Sequence, residues 1–239
     1  MARHSILSAV LLATLAHGPA LAEAAPFAAE ISAIARRDQA HPVPQGGVLF
    51  LGSSSIRLWN VAASFPEAQT INHGFGGATV TDVLRNYGLL VADHQPDHIL
   101  VYVGENDLAQ ERDPAAVAHD VITLLTRLRA DFPTARIAYL SIKYAPVRWS
   151  HRQAIGRANA LIRDAARRAD RIDYIDASRD LLVGDDSPDV ACYGSDGLHL
   201  NQSGYSRWNR IVRSYLTHMD GPGNAGGKAA GGTSVAHRP

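Results

Sequence analysis

Five short apolar runs, separated by longer segments with helical spacing, constrain this chain more than any other feature of its sequence. Residues 48–51, 69–71, 99–103, 137–142 and 172–175 read as strands. The most continuous, 48–51 and 99–103, consist only of Val, Ile, Leu, Tyr and Phe, as strands buried on both faces do. Between them, residues 113–132 place Val117, Val121, Leu124 and Leu128 at three- and four-residue steps. Asp113-Pro114 supplies a capping side chain and then a proline at the first helical position. Residues 150–169 repeat the helical spacing with Ile155, Leu161 and Ile162. A last helix, starting near Asn201, is expected to turn Tyr205, Trp208, Val212 and Tyr215 inward. Strands alternating with helices require right-handed crossovers, and hence an α/β fold whose parallel sheet is covered on both faces. Ligands of such sheets bind beyond the carboxyl ends of the strands, so chemistry is expected in the turns that follow them.

The ends of the chain read differently. Arg3 and His4 precede an apolar run over 6–16, and Ala20-Leu21-Ala22 offers small residues at the positions a signal peptidase accepts. That run is about half of the ~20 residues a membrane span needs, so residues 1–22 are expected to be a cleaved export signal rather than a stable anchor. Residues 221–239 hold six glycines, two prolines and no large apolar side chain. Such a segment cannot bury enough surface to offset its ordering, and a disordered tail is expected. The folded domain should occupy residues 26–219. Lys+Arg and Asp+Glu balance at 23 each, so no global field favours nucleic acid or an anionic membrane. Cys192, the only cysteine, can form no internal bridge and reads as a small residue near a loop.

Four motifs fall just after strands or before the last helix. Gly52-Ser53-Ser54-Ser55 leads from the first strand into a helix and can display a hydroxyl beside helical N–H groups, although serine also serves as an ordinary cap. Asn72-His73-Gly74-Phe75-Gly76-Gly77 follows the second strand, and its glycines permit a backbone N–H, that of Gly77, to point into a site. Gly104-Glu105-Asn106-Asp107 follows the third, with the Asn106 amide as a donor and Asp107 as a brace. In Ser195-Asp196-Gly197-Leu198-His199, an Asp three residues ahead of a His can hold Nδ1–H, fix the tautomer and leave Nε2 as a base.

Together these blocks resemble those of the SGNH hydrolases, the GDSL esterase/lipase family, from about residue 48 to 205. The family's fold is a three-layer α/β/α, flavodoxin-like arrangement with a five-stranded parallel sheet. Matched block by block, Ser54 falls on the nucleophile, Gly77 and Asn106 on the oxyanion donors, and Asp196 with His199 on the activating pair. The Ser54 backbone N–H completes the oxyanion hole. Two departures stand out: the usual Gly-Asp-Ser-Leu is here Gly-Ser-Ser-Ser, and Gly-Gly-Asn-Asp is Gly-Glu-Asn-Asp. Aligning on Gly52 and Trp59 selects Ser54, with Ser53 and Ser55 as lesser candidates.

The resemblance implies an exported serine esterase that needs no cofactor or metal and acts on a small-molecule or glycan ester through an acyl-enzyme. Short-chain acyl esters, O-acetyl sugars and lysophospholipids are the substrate candidates. Arg57, Trp59, Arg148 and Trp149 are candidates for the mouth; the alternative for the tryptophans is packing against the sheet, and for Trp59 that is the preferred reading. Two rival readings stay open at this level. One is a metal-dependent hydrolase using His199, Asp196 and Glu105, although no paired-His motif is present. The other is a non-catalytic carbohydrate-binding protein on the same fold.

Overall fold

The computed structural model describes residues 27–40, 45–184 and 187–219; the expected export signal and the expected tail lie outside the described residues. After helix α1 (Ala28–Ala40) the chain enters β1 (Val48–Gly52), then the short helices α2 (Ser54–Arg57) and α3 (Val61–Ser64). There follow β2 (Thr70–Gly74), α4 (Val80–Arg85), α5 (Tyr87–Val91), β3 (His98–Tyr102), α6 (Glu105–Ala109) and α7 (Pro114–Asp131). The last elements of the main body are β4 (Arg136–Leu140), α8 (Arg152–Ala166), β5 (Ile172–Ile175) and α9 (Gln202–Met219). The five strands pair in the order β2-β1-β3-β4-β5, all parallel. Among the described residues, no helix is long and apolar enough to cross a membrane.

Because strand side chains alternate between faces, each central strand feeds two cores. Leu49, Leu51, Ile99, Val101, Ile137 and Tyr139 pack against α1, α4, α5, α7 and α8. Phe50, Leu100, Tyr102, Ala138 and Leu140 pack on the opposite face against Ile56, Trp59, Phe65 and α9. That division explains why the inner runs, β1 and β3 above all, have no polar alternation: both their faces are dry. Trp59 and Trp208 sit in the second core, and each indole N–H has a partner, Asn209 Oδ1 at 2.8 Å and the Ala177 carbonyl at 3.0 Å. Helix α7 starts as read from sequence, with the Asp113 carboxylate accepting from the N–H groups of Ala115 and Ala116. Such a cap is worth about 1 kcal/mol.

Three details differ from the sequence expectations. The second strand runs on to Gly74, so Asn72 and His73 belong to it rather than to the following loop. Helix α8 begins at Arg152, after a 3₁₀ turn over Pro146–His151. Its buried stripe is Ile155, Ala158, Asn159, Ile162 and Ala166, which leaves Leu161 exposed, because position 161 is rotated off that face.

Candidate active site

Ser54 is the first residue of α2, directly beyond the carboxyl end of β1. The strand ends at Gly52 with φ of 150°, where a Cβ would meet the Tyr102 carbonyl oxygen at 1.9 Å, so only glycine lets β1 turn out of the sheet here. Ser53 and Ser55 are buried at 2% and 1% exposure, whereas Ser54 is partly open. The Ser54 Oγ lies 3.0 Å from His199 Nε2. Helix α2 is too short to satisfy its own carbonyls. Asn72 Nδ2 donates to that of Ile56 (2.7 Å) and, just beyond the helix, to the Trp59 carbonyl (2.9 Å), and Tyr205 Oη–H donates to that of Ser55 (2.9 Å).

His199 stands in a turn that organises itself. Asp196 Oδ1 accepts from the N–H groups of Leu198 (2.9 Å) and His199 (3.0 Å), while Oδ2 lies 2.6 Å from His199 Nδ1. The backbone passes Gly197 at φ of 60°. A carboxylate can only accept, so Nδ1 carries the proton and the Nε2 lone pair faces Ser54. The Leu198 N–H, the His199 ring and the His199 N–H together pull the Asp196 carboxyl from its ordinary 3.8 down to about 2. Asn201 anchors the turn to α9: its Oδ1 accepts from the N–H groups of Ser203 and Gly204, and its Nδ2 donates to the carbonyls of Ala191 and Tyr193.

Two loops complete the rim. Gly77 is exposed and at φ of 72°; a Cβ there would make only ordinary contact with the Phe27 ring at 3.8 Å, so its backbone angle rather than crowding selects glycine. Asn106 Nδ2 donates to the Ala78 carbonyl at 3.0 Å, and the buried Asp107 carboxylate accepts from the Val80 N–H at 3.0 Å and from Arg112 Nη1 at 2.8 Å. The loops bearing Gly77 and Asn106 are thus fastened to each other. From outside, helix α1 holds the glycine loop: Glu30 Oε2 accepts from the Gly76 N–H at 2.9 Å, and Phe27 packs edge-on against Phe75.

Residues 53–207 match the model of the GDSL-like lipase/acylhydrolase family, well over half of the chain. The chain belongs to that family. No curated protein sequence matches it. Solved structures with the same fold include a Streptococcus pneumonia protein provisionally assigned as a platelet activating factor (TM-score 0.70, 21% identity, 79% of this chain and 92% of that one). A GDSL-like lipase from Bacteroides thetaiotaomicron (0.64, 18%, 80% and 98%) and a family 3 carbohydrate esterase from Clostridium thermocellum (0.58, 15%, 74% and 100%) are similar as well.

Within this GDSL-like acylhydrolase the departure at Glu105 has a partner that the sequence reading missed. Lys143, on the segment after β4, has no exposed surface; its Nζ lies 2.5 Å from Glu105 Oε2 and 3.3 Å from the Tyr102 hydroxyl, which itself donates to the same carboxylate at 2.9 Å. A lone lysine directly after an apolar strand was the available signal. Glu105 is therefore engaged away from His199 and does not join it as a ligand set. Trp59 is core, as described above, and Arg57 lies 3.6 Å from Glu30. Arg148 and Trp149 belong to the 3₁₀ turn, whose Val147 N–H donates to the Gly197 carbonyl at 3.1 Å, so they flank the Asp196–His199 turn.

Proposed function

We propose that this acylhydrolase cleaves carboxylic esters with Ser54 as nucleophile, His199 as general base and Asp196 as its orienting carboxylate. The observation that carries the reading is the single hydrogen-bonded line from Asp196 Oδ2 through the His199 ring to Ser54 Oγ, at 2.6 and 3.0 Å. His199 Nε2 takes the hydroxyl proton as Oγ attacks the ester carbonyl, and Asp196 stabilises the imidazolium that results. The carbonyl oxygen becomes an oxyanion that accepts from the N–H groups of Ser54 and Gly77 and from Asn106 Nδ2. One Asn106 N–H is engaged by Ala78, which leaves its second for the substrate. Collapse of the intermediate breaks the C–O bond, His199 returns the proton to the leaving alcohol, and water, activated by the same base, releases the acid and restores Ser54.

A short acyl or O-acetyl ester is the substrate class best supported. Ser54, Gly77 and His199 all reach solvent, an open setting suited to a small or polar ester rather than a long chain. The name of the carbohydrate esterase with this fold points the same way. Export, proposed from the sequence of residues 1–22, would put the substrate outside the cytoplasm.

A fluorophosphonate probe tests the chemistry directly. Labelling of the wild-type chain and its loss in Ser54→Ala support the reading, and an unlabelled wild-type chain sinks it. A series of p-nitrophenyl esters beside acetylated sugars tests the substrate class, and activity peaking on long acyl chains would overturn the short-ester assignment.

A further inference from the structure

Away from Ser54, three side chains from separate elements converge: Asp38 in the last turn of α1, His73 on β2 and His94 just after α5. One ligating atom from each lies within 4.8 Å of the other two. His73 is fully buried, and its Nδ1 is 2.7 Å from the Leu90 carbonyl. A carbonyl only accepts, so Nδ1 holds a proton, while Nε2 faces Asp38, 3.1 Å from Oδ2. Two acceptors cannot meet at that distance, so a positive centre, either a second ring proton or a metal ion, lies between them. His94 faces the same oxygen, with Nε2 at 3.5 Å, and is 4% exposed. Among the described residues, neither of its ring nitrogens has a hydrogen-bond partner.

We propose that Asp38, His73 and His94 form a binding site for one divalent transition-metal ion of the zinc type. Zinc bonds to nitrogen and oxygen of ~2.0–2.2 Å in a tetrahedron space the ligand atoms about 3.3 Å apart; the two Asp38–His distances, 3.1 and 3.5 Å, match this, and the trio as a whole, within 4.8 Å, has only to draw in around the ion. Two imidazoles and one carboxylate suit zinc, cobalt or nickel and do not suit calcium or magnesium, which prefer all-oxygen shells. The Leu90 carbonyl supplies the outer partner that fixes the tautomer of a metal-bound imidazole.

The ion's role would be structural. It joins α1, β2 and the segment after α5, and α1 is the helix whose Glu30 holds the Gly76 N–H and whose Arg37 donates to the Asn72 carbonyl at 2.7 Å. Asp38 is only partly buried, so Asp38→Asn should fold normally even if a change at His94 does not.

The test uses the full chain stripped with EDTA and then titrated with zinc by calorimetry, and with cobalt by visible absorption. One equivalent of zinc, a tetrahedral cobalt spectrum, and a rise in Tm of roughly 5–10 °C at hundredfold excess over Kd are expected. Asp38→Asn and His94→Gln should each weaken binding by ~10–100-fold or more. Stoichiometric binding that survives Asp38→Asn overturns the assignment. So does a wild-type chain that takes up no ion and shows, by NMR, a protonated His73 ring in its place. Neither outcome bears on Ser54 labelling, so the site stands or falls separately from the esterase reading.

Discussion

The Lys143 ammonium lies 2.5 Å from the Glu105 carboxylate, and the chain shuts both away from water directly beside Asn106. A buried pair of this kind is costly to break from one side, because the remaining charge has no solvent to turn to. Lys143→Met is expected to cost about 3–5 kcal/mol in urea unfolding, and the double change Lys143→Met with Glu105→Gln should recover most of it. Equal losses in the single and double variants would show that the pair is not coupled.

Asn106→Ala removes the proposed oxyanion donor and the bond to the Ala78 carbonyl. A fall in kcat of ~10²–10³ with little change in KM is expected in steady-state assays on a p-nitrophenyl ester. A purely elevated KM would assign Asn106 to substrate binding instead.

Asp196→Asn should be more damaging than its surface position suggests. The amide can still accept from the Leu198 N–H through Oδ1, but the group facing His199 Nδ1 becomes a donor. The ring is then driven to the tautomer that cannot take the Ser54 proton, and kcat should drop by up to ~10⁴. Circular dichroism unchanged from wild type separates this from unfolding.

The pH dependence follows from the same carboxylate. Its folded value, about 2 against an ordinary 3.8, is depressed. Ionised Asp196 therefore favours the folded state above about pH 4, and that contribution is lost as pH falls through about 2. Down to about pH 3 it stays charged, so the acid limb of kcat/KM should follow a single proton, with a slope of about one in log units. A slope of two would mean that Asp196 titrates together with the base.

Much of this could be read from the chain alone, for identifiable reasons. The sheet was legible because both its faces are buried, which leaves strands such as 48–51 without any polar residue. The Asp196–His199 turn was legible because its bonds are local, three residues apart. Which of three serines faces the base was less so: burial separates Ser54 from Ser53 and Ser55, and burial is a tertiary property. Lys143 and Glu105 are 38 residues apart, and Asp38 and His73 are 35 apart, so no motif spacing signals either grouping. The helix near Ser150 was read too long because a 3₁₀ turn over Pro146–His151 precedes it, and Leu161 was misplaced because the buried stripe of α8 runs through Ile155, Ala158 and Ile162.

The grip of α1 on the glycine loop sets a practical boundary for anyone making or processing the protein. Trimming past Phe27 would remove the aromatic prop, and trimming past Glu30 would release the Gly76 N–H, while every strand stayed in place. A shortened product of that kind would purify as a well-folded protein and still be a poor enzyme.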